Sequence, residues 1–202
     1  MKSVPIYINI VYEDALSSAV IERLLAFSKN PIIIQRRLGG RGCGYIRSRI
    51  ETFQKAARHQ PFFVLLDSDK EGCALRLLNS LAPPQIRNPN CLFRIAVREV
   101  EAWLLSDAKG TSRFLGVNEQ GVHKSPESLD DAKGHLIDLA RKSKIRKLKE
   151  GLVPDSRTSA VVGPEYNQIL SSFVKENWNV RAAANRSESL RRALSAIERF
   201  RP

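Results

Sequence analysis

The sequence predicts an α/β fold, a mainly parallel sheet flanked by helices, followed by a helical C-terminal region. Three observations predict it. Residues 62–66 are five apolar residues in a row, set between Pro61 and a group of acids, the pattern of a strand buried on both faces. Short β-rich runs alternate with stretches of helical period through the first half, as in successive strand–helix units. Beyond Asp107 only helical periodicity remains.

In chain order, residues 4–11 alternate Ile6, Ile8 and Ile10 and read as the first strand. Asp14 is placed to cap a helix whose apolar positions Leu16, Val20, Leu24 and Phe27 recur at helical spacing. Residues 31–34 give a short strand. A loop carrying Gly39, Gly40, Gly42 and Gly44 then leads to a helix marked by Ile46, Ile50, Phe53 and Ala57. After residues 62–66, a stripe of Ala74, Leu77, Leu78 and Leu81 stops before Pro83 and Pro84. Residues 92–97 supply the next strand, and a helix with Trp103 and Leu104 follows at once.

Residues 110–124, with Gly116 and Gly121, read as a flexible connection. Ser125 and Pro126 read as a helix start, with Leu129, Ala132, Leu136 and Leu139 as its stripe. Gly163-Pro164-Glu165 starts another, with Tyr166, Ile169, Leu170, Phe173 and Val174 facing inward. Ser187 caps a last helix carrying Leu190, Ala193, Leu194 and Ile197. The expected division is an α/β core over residues 1–109 and a basic, mostly helical region over 110–202 packed on it.

Open α/β sheets bind ligands at the carboxyl ends of their strands, and this chain places acids there repeatedly. Glu13 follows the first strand, Asp67 and Asp69 follow residues 62–66, and Glu99 and Glu101 follow residues 92–97. Glu99 shares a helix face with Trp103 and Glu101 with Leu104 and Leu105, and spacing does not choose between them. Crowded carboxylates repel each other unless a cation lies among them. Acid oxygens completed by water suit Mg²⁺ or Mn²⁺. A plainer reading treats Asp67 and Asp69 as an Asx-rich turn that caps the next helix, and Glu13 as an offset to a helix dipole.

Charge narrows the partner. The 202 residues include 33 Lys and Arg against 21 Asp and Glu, a formal net charge of +12, which favours a polyanion. The densest run is Arg141, Lys142, Lys144, Arg146, Lys147 and Lys149; a second comprises Arg181, Arg186, Arg191, Arg192, Arg199 and Arg201. Either could be a solvated helix face. Acids grouped inside a basic chain are what metal-dependent chemistry on phosphodiesters requires. The densest run contains no aromatic residue, so it is expected to hold phosphates without reading bases.

An acid after the first strand, Asp67-Ser68-Asp69-Lys70-Glu71-Gly72 after a later one, and the strand–helix alternation between them resemble the TOPRIM domain of topoisomerases, primases and related nucleases. The segment from Arg98 through Glu101 and Trp103 to Asp107 further resembles a family of small stand-alone TOPRIM-like proteins. Members of that family are often encoded beside ABC-type ATPases, in the manner of the overcoming-lysogenisation-defect nucleases. The resemblance covers the first half well and the rest weakly. It implies that Glu13 binds metal or acts as general base, that Asp67 and Asp69 bind metal, and that Glu101 serves a second metal. Asp14 departs from the pattern, where many such domains carry glycine.

The expected function is a Mg²⁺- or Mn²⁺-dependent nuclease acting on DNA more than RNA, as the effector of an ATPase-linked defence or repair system. The competing expectation is a module that binds nucleic acid or an ATPase partner with little activity by itself. Topoisomerase activity lacks a tyrosine-bearing cleavage domain. A phosphatase of the haloacid-dehalogenase type lacks the threonine after the second aspartate. The glycine loop has no Lys-Ser or Lys-Thr pair of a P-loop. His59, His123 and His135 lack ligand spacing, and Cys43, Cys73 and Cys91 read as free thiols. Without an apolar run of spanning length or a basic start leading into an apolar signal segment, the expected location is the cytoplasm.

Overall fold

A computed structural model describes residues 4–71 and 73–202. Gly72, the last residue of the Asp-x-Asp-x-x-Gly motif, lies outside the described residues. Four strands, β1 (Ile6–Tyr12), β2 (Ile32–Gly39), β3 (Phe62–Asp67) and β4 (Cys91–Ala96), form one sheet of order β2-β1-β3-β4. Every pairing is parallel. The chain leaves β1 toward β2 and returns on the other side as β3, so the order reverses between β1 and β3. That switch point is where such sheets open a crevice at the strands' carboxyl ends.

The connecting helices are α1 (Ala15–Leu25), α2 (Gly42–Ala56) and α3 (Ala74–Leu81). Seven more follow β4: α4 (Val100–Ser106), α5 (Ala108–Leu115), α6 (Ala132–Arg141), α7 (Arg146–Leu152), α8 (Tyr166–Glu176), α9 (Val180–Ala184) and α10 (Glu188–Arg199). Successive strand residues alternate faces. Ile8, Ile10, Phe63, Leu65 and Leu92 pack with α1 and the helices after β4. Val11, Val64, Leu66, Phe93 and Ile95 pack with α2 and α3. Residues 62–66 are continuously apolar because both faces are covered.

At the edge the outcome differs from the expectation. β2 does not stop at Ile34 but runs through Gln35, Arg36 and Arg37 to Gly39. An edge strand has solvent beside it, so polar side chains do not end it. With Gly39 in the strand and α2 beginning at Gly42, the expected glycine loop shrinks to Gly40 and Arg41.

The supposed flexible connection over 110–124 is a second correction. Gly110 lies inside α5, with its N–H donated to Asp107 Oδ1 at 3.0 Å, and a Cβ there would overlap that carboxylate. α5 ends on Gly116 in the left-handed region, φ 65°, a conformation glycine adopts without steric cost. The expected domain boundary therefore falls within α5.

Ser125 and Pro126 do not open a long helix either. They begin one 3-10 turn, Pro126–Ser128, and α6 starts at Ala132, capped by Asp131 Oδ1 accepting from the Gly134 N–H at 2.6 Å. The cause is tertiary. Glu127 accepts from the Ser187 hydroxyl at 2.7 Å and from the N–H groups of Glu188 and Ser189 at 3.1 Å, which commits the segment to the start of α10.

Two caps follow the sequence. Asp14 Oδ1 accepts from the Ser17 N–H at 2.8 Å, and Ser187 Oγ from the Leu190 N–H at 3.1 Å. The five residues read as the inward face of α8 are all buried. Among the described residues no helix is long and apolar enough to cross a membrane.

Candidate active site

The carboxyl ends of β1, β3 and β4 bring Glu13, Asp67, Glu99 and Glu101 together. Glu13, one residue past β1, turns across the switch point and its Oε1 accepts from the Asp67 N–H at 2.9 Å. Burial pushes the Glu13 carboxyl up from its ordinary value; the Asp67 amide works against this, and the charges of Asp69 and Asp14 add to it. Asp67 ends β3 on the same face as Phe63 and Leu65, which turns it toward the helices that follow β4.

There its Oδ1 is sealed from solvent with no hydrogen-bond partner. Burial, then Glu101, then Glu13 hold its carboxyl well above the usual range, with Lys133 opposing them. Glu101, in the first turn of α4, is 1% exposed. Its Oε1 accepts from the Tyr166 hydroxyl at 2.8 Å and lies 3.5 Å from Lys133 Nζ. Its Oε2 is buried without a partner, and burial pushes the carboxyl up against the pull of Lys133.

The choice between Glu99 and Glu101 dissolves, because both turn to Lys133. Glu99 Oε2 accepts from the Lys133 backbone N–H at 2.8 Å, and Glu99 Oε1 lies 3.5 Å from its Nζ. Burial alone would push the Lys133 ammonium down, but Glu101, Glu99, Asp67 and Asp14 outweigh it and hold it above its ordinary value. Lys133 and Tyr166 are the site residues that sequence reasoning missed. Tyr166 stood in an apolar stripe, and Lys133 lies far along the chain with no local motif.

Asp69 departs from its expected place beside Asp67. Two residues on in a strand would point the same way, but the strand has ended and Asp69 sits at φ 49°. Its side chain is 49% exposed, with Arg47 of α2 at 3.8 Å. Arg47 also reaches Glu71 at 3.2 Å. Arg98, after β4, is likewise left-handed at φ 64°. The two are joined, Asp69 N–H to Arg98 O at 2.8 Å and Arg98 N–H to Ser68 Oγ at 2.8 Å. Non-glycine residues at such angles carry strain of roughly 1–3 kcal/mol each and cluster at functional sites.

Among the described residues no three acidic, histidine or cysteine side chains converge as the cage of a metal would. Mg²⁺, though, takes one or two carboxylates and keeps several waters. The unpartnered Asp67 Oδ1 and Glu101 Oε2 are the oxygens left for such a cation. His123 and His135, distant in sequence, come within 6.2 Å between ring centroids.

The six residues of the densest basic run are all exposed. Arg141 pairs with Asp138 at 3.7 Å and Arg146 with Glu150 at 2.7 Å. Lys133 and Arg141 stand at opposite ends of α6, about 12 Å apart along its axis, so the run begins a helix length from the carboxylates. No protein-family model, curated protein or solved structure matches the chain.

Proposed function

We propose that the chain is a Mg²⁺- or Mn²⁺-dependent nuclease that hydrolyses phosphodiester bonds of DNA or RNA at the β1–β3 switch point. The observation that carries this reading is the pair of buried carboxylate oxygens, Asp67 Oδ1 and Glu101 Oε2, that have no partner. Burying carboxylates without compensation costs several kcal/mol each, and a divalent cation among them would remove that cost. When bound, the cation would lower the pKa of a water and stabilise the charge on the cleaved phosphate.

The residues around it have separate tasks. Asp67 and Glu101 would bind the cation, with Tyr166 holding Glu101 by one oxygen so that the other stays free. The Asp67 amide fixes Glu13, and the Glu13 carboxyl, its pKa raised by burial, is a stronger base than an ordinary carboxylate and would take the proton from water. Asp69, on the solvent side, would add a ligand once Arg47 releases it. Fed by an ABC-type ATPase, such a nuclease would serve as an effector subunit. The test is cleavage of linear, circular and single-stranded substrates with Mn²⁺. Asp67→Ala should abolish it while circular dichroism stays unchanged, and cleavage persisting in that variant would remove Asp67 from the site.

Lys133 favours a second reading. Its ammonium already lies among Glu99 and Glu101, so the cluster could be internally neutralised in a module that binds nucleic acid or an ATPase without cleaving. Titration calorimetry separates the two. Heat from Mn²⁺ binding that disappears in Asp67→Ala supports the enzyme, and no heat with the unaltered protein supports the module.

A further inference from the structure

We infer that the first turns of α2 form a binding track for single-stranded nucleic acid, with Tyr45 and its two flanking arginines as the stacking element. This deepens the nuclease reading by naming its substrate class and rests on that reading only for the cleavage step. Arg41 and Arg49 hold their guanidinium carbons 5.2 and 5.0 Å from the centroid of the Tyr45 ring. Both arginines are exposed and Tyr45 is partly so. Among the described residues neither arginine pairs with a carboxylate, whereas Arg37 has Glu22 and Arg47 has Asp69 and Glu71. Two cations gathered on one aromatic ring, without acids, are a charge surplus that phosphates would neutralise. Arginine planes and tyrosine rings are also the surfaces on which unpaired bases stack.

Register adds a third free cation. Arg36 pairs with Asn9 and Leu38 with Val11, and Val11 packs with α2. Arg36, two residues before Leu38, therefore stands on the same face of the sheet as α2, and it too has no acid among the described residues. The glycines at the start of α2 leave room on the side of the carboxylates. Tyr45 and Arg47 are two residues apart on α2, so their Cα atoms lie about 5.4 Å apart on opposite flanks of the helix. Arg47 touches the rim of the acidic crevice. Between those flanks lies Gly44, where an added Cβ would meet nothing within 4 Å, and the same holds for Gly40 and Gly42. No side chain at these three positions obstructs a strand crossing from Tyr45 to Asp69. The run from Arg141 to Lys149 offers charge without an aromatic ring.

The test is binding of a fluorescein-labelled oligothymidine of about 16 nucleotides, and of its duplex, in EDTA so that cleavage plays no part. Tyr45→Ala should weaken single-strand binding about tenfold, the worth of one stacked base, with a smaller effect on the duplex. Tyr45→Phe should bind as the unaltered protein does, which guards against a packing defect, since Tyr45 also meets Phe53 edge-on at 6.5 Å. Arg41→Ala with Arg49→Ala should lower the salt slope by about 1.4 for a single strand. Unchanged affinity and slope in all of these would overturn the proposal. So would a loss confined to Arg146→Ala, Lys147→Ala and Lys149→Ala together. Binding through Tyr45 without cleavage by the unaltered protein would sustain the track and defeat the nuclease reading.

Discussion

Asp67 and Asp69 are the same residue type two positions apart, and their surroundings differ in every respect that matters for chemistry. Asp67 continues the alternation of β3 into the protein, with an oxygen sealed from water and the charges of Glu101, Glu13 and Lys133 acting on it. Asp69, turned by its left-handed backbone, meets solvent and Arg47. The inner group is desolvated, so each charge there acts strongly and must be balanced. The outer group is screened, so its pairs contribute little to stability and rearrange easily. One half of the cluster is therefore built to hold a charge, the other to exchange partners.

Removing the inner cation should have the largest effect on stability. Lys133→Met leaves Glu99 and Glu101 facing each other, and breaking a buried pair costs about 3–5 kcal/mol. Urea denaturation at pH 7 reads this directly; a loss below 1 kcal/mol would mean that water already balances the carboxylates. Tyr166→Phe keeps the packing and deletes only the hydroxyl that donates to Glu101. The expected loss is about 1.5–3 kcal/mol, as for hydrogen bonds to charged groups. Arg47→Ala should cost about 0–1 kcal/mol, because its partners Asp69 and Glu71 are half exposed. An equal loss from Arg47→Ala and Lys133→Met would erase the contrast between the two halves.

The pH dependence sharpens it. Asp67 and Glu101 bind protons more tightly folded than unfolded. The stability that protonation gives is complete below their ordinary values of 3.8 and 4.5. It is lost as pH rises through the higher folded ones. Asp67→Asn should remove much of this loss and leave the protein more stable than the unaltered chain at pH 7 in EDTA, with the difference shrinking at pH 4. Thermal melts across that range check it, and a variant less stable at pH 7 than at pH 4 relative to the unaltered chain would reverse this sign. Mn²⁺ should raise the melting temperature of the unaltered protein and not that of Asp67→Asn.

The sequence by itself determined that the four strands exist and fixed two of the caps, because those depend on neighbours. Five apolar residues between Pro61 and Asp67 fit the length and pattern of a strand covered on both faces. Asp14 and Ser187 cap helices through bonds three residues away. Glu13, Asp67 and Glu101 were legible as acids at strand ends because a parallel sheet aligns those ends. Only the tertiary structure decided what completes them. Glu127 leaves a helix start for the backbone N–H groups of Glu188 and Ser189, 61 and 62 residues on. Lys133 and Tyr166 enter the cluster from helices whose own patterns describe only their buried stripes. Asp69 turns away because a backbone angle, not a residue type, sets its direction. Local periodicity fixes which face of an element is buried; which charge then stands opposite depends on how distant elements pack.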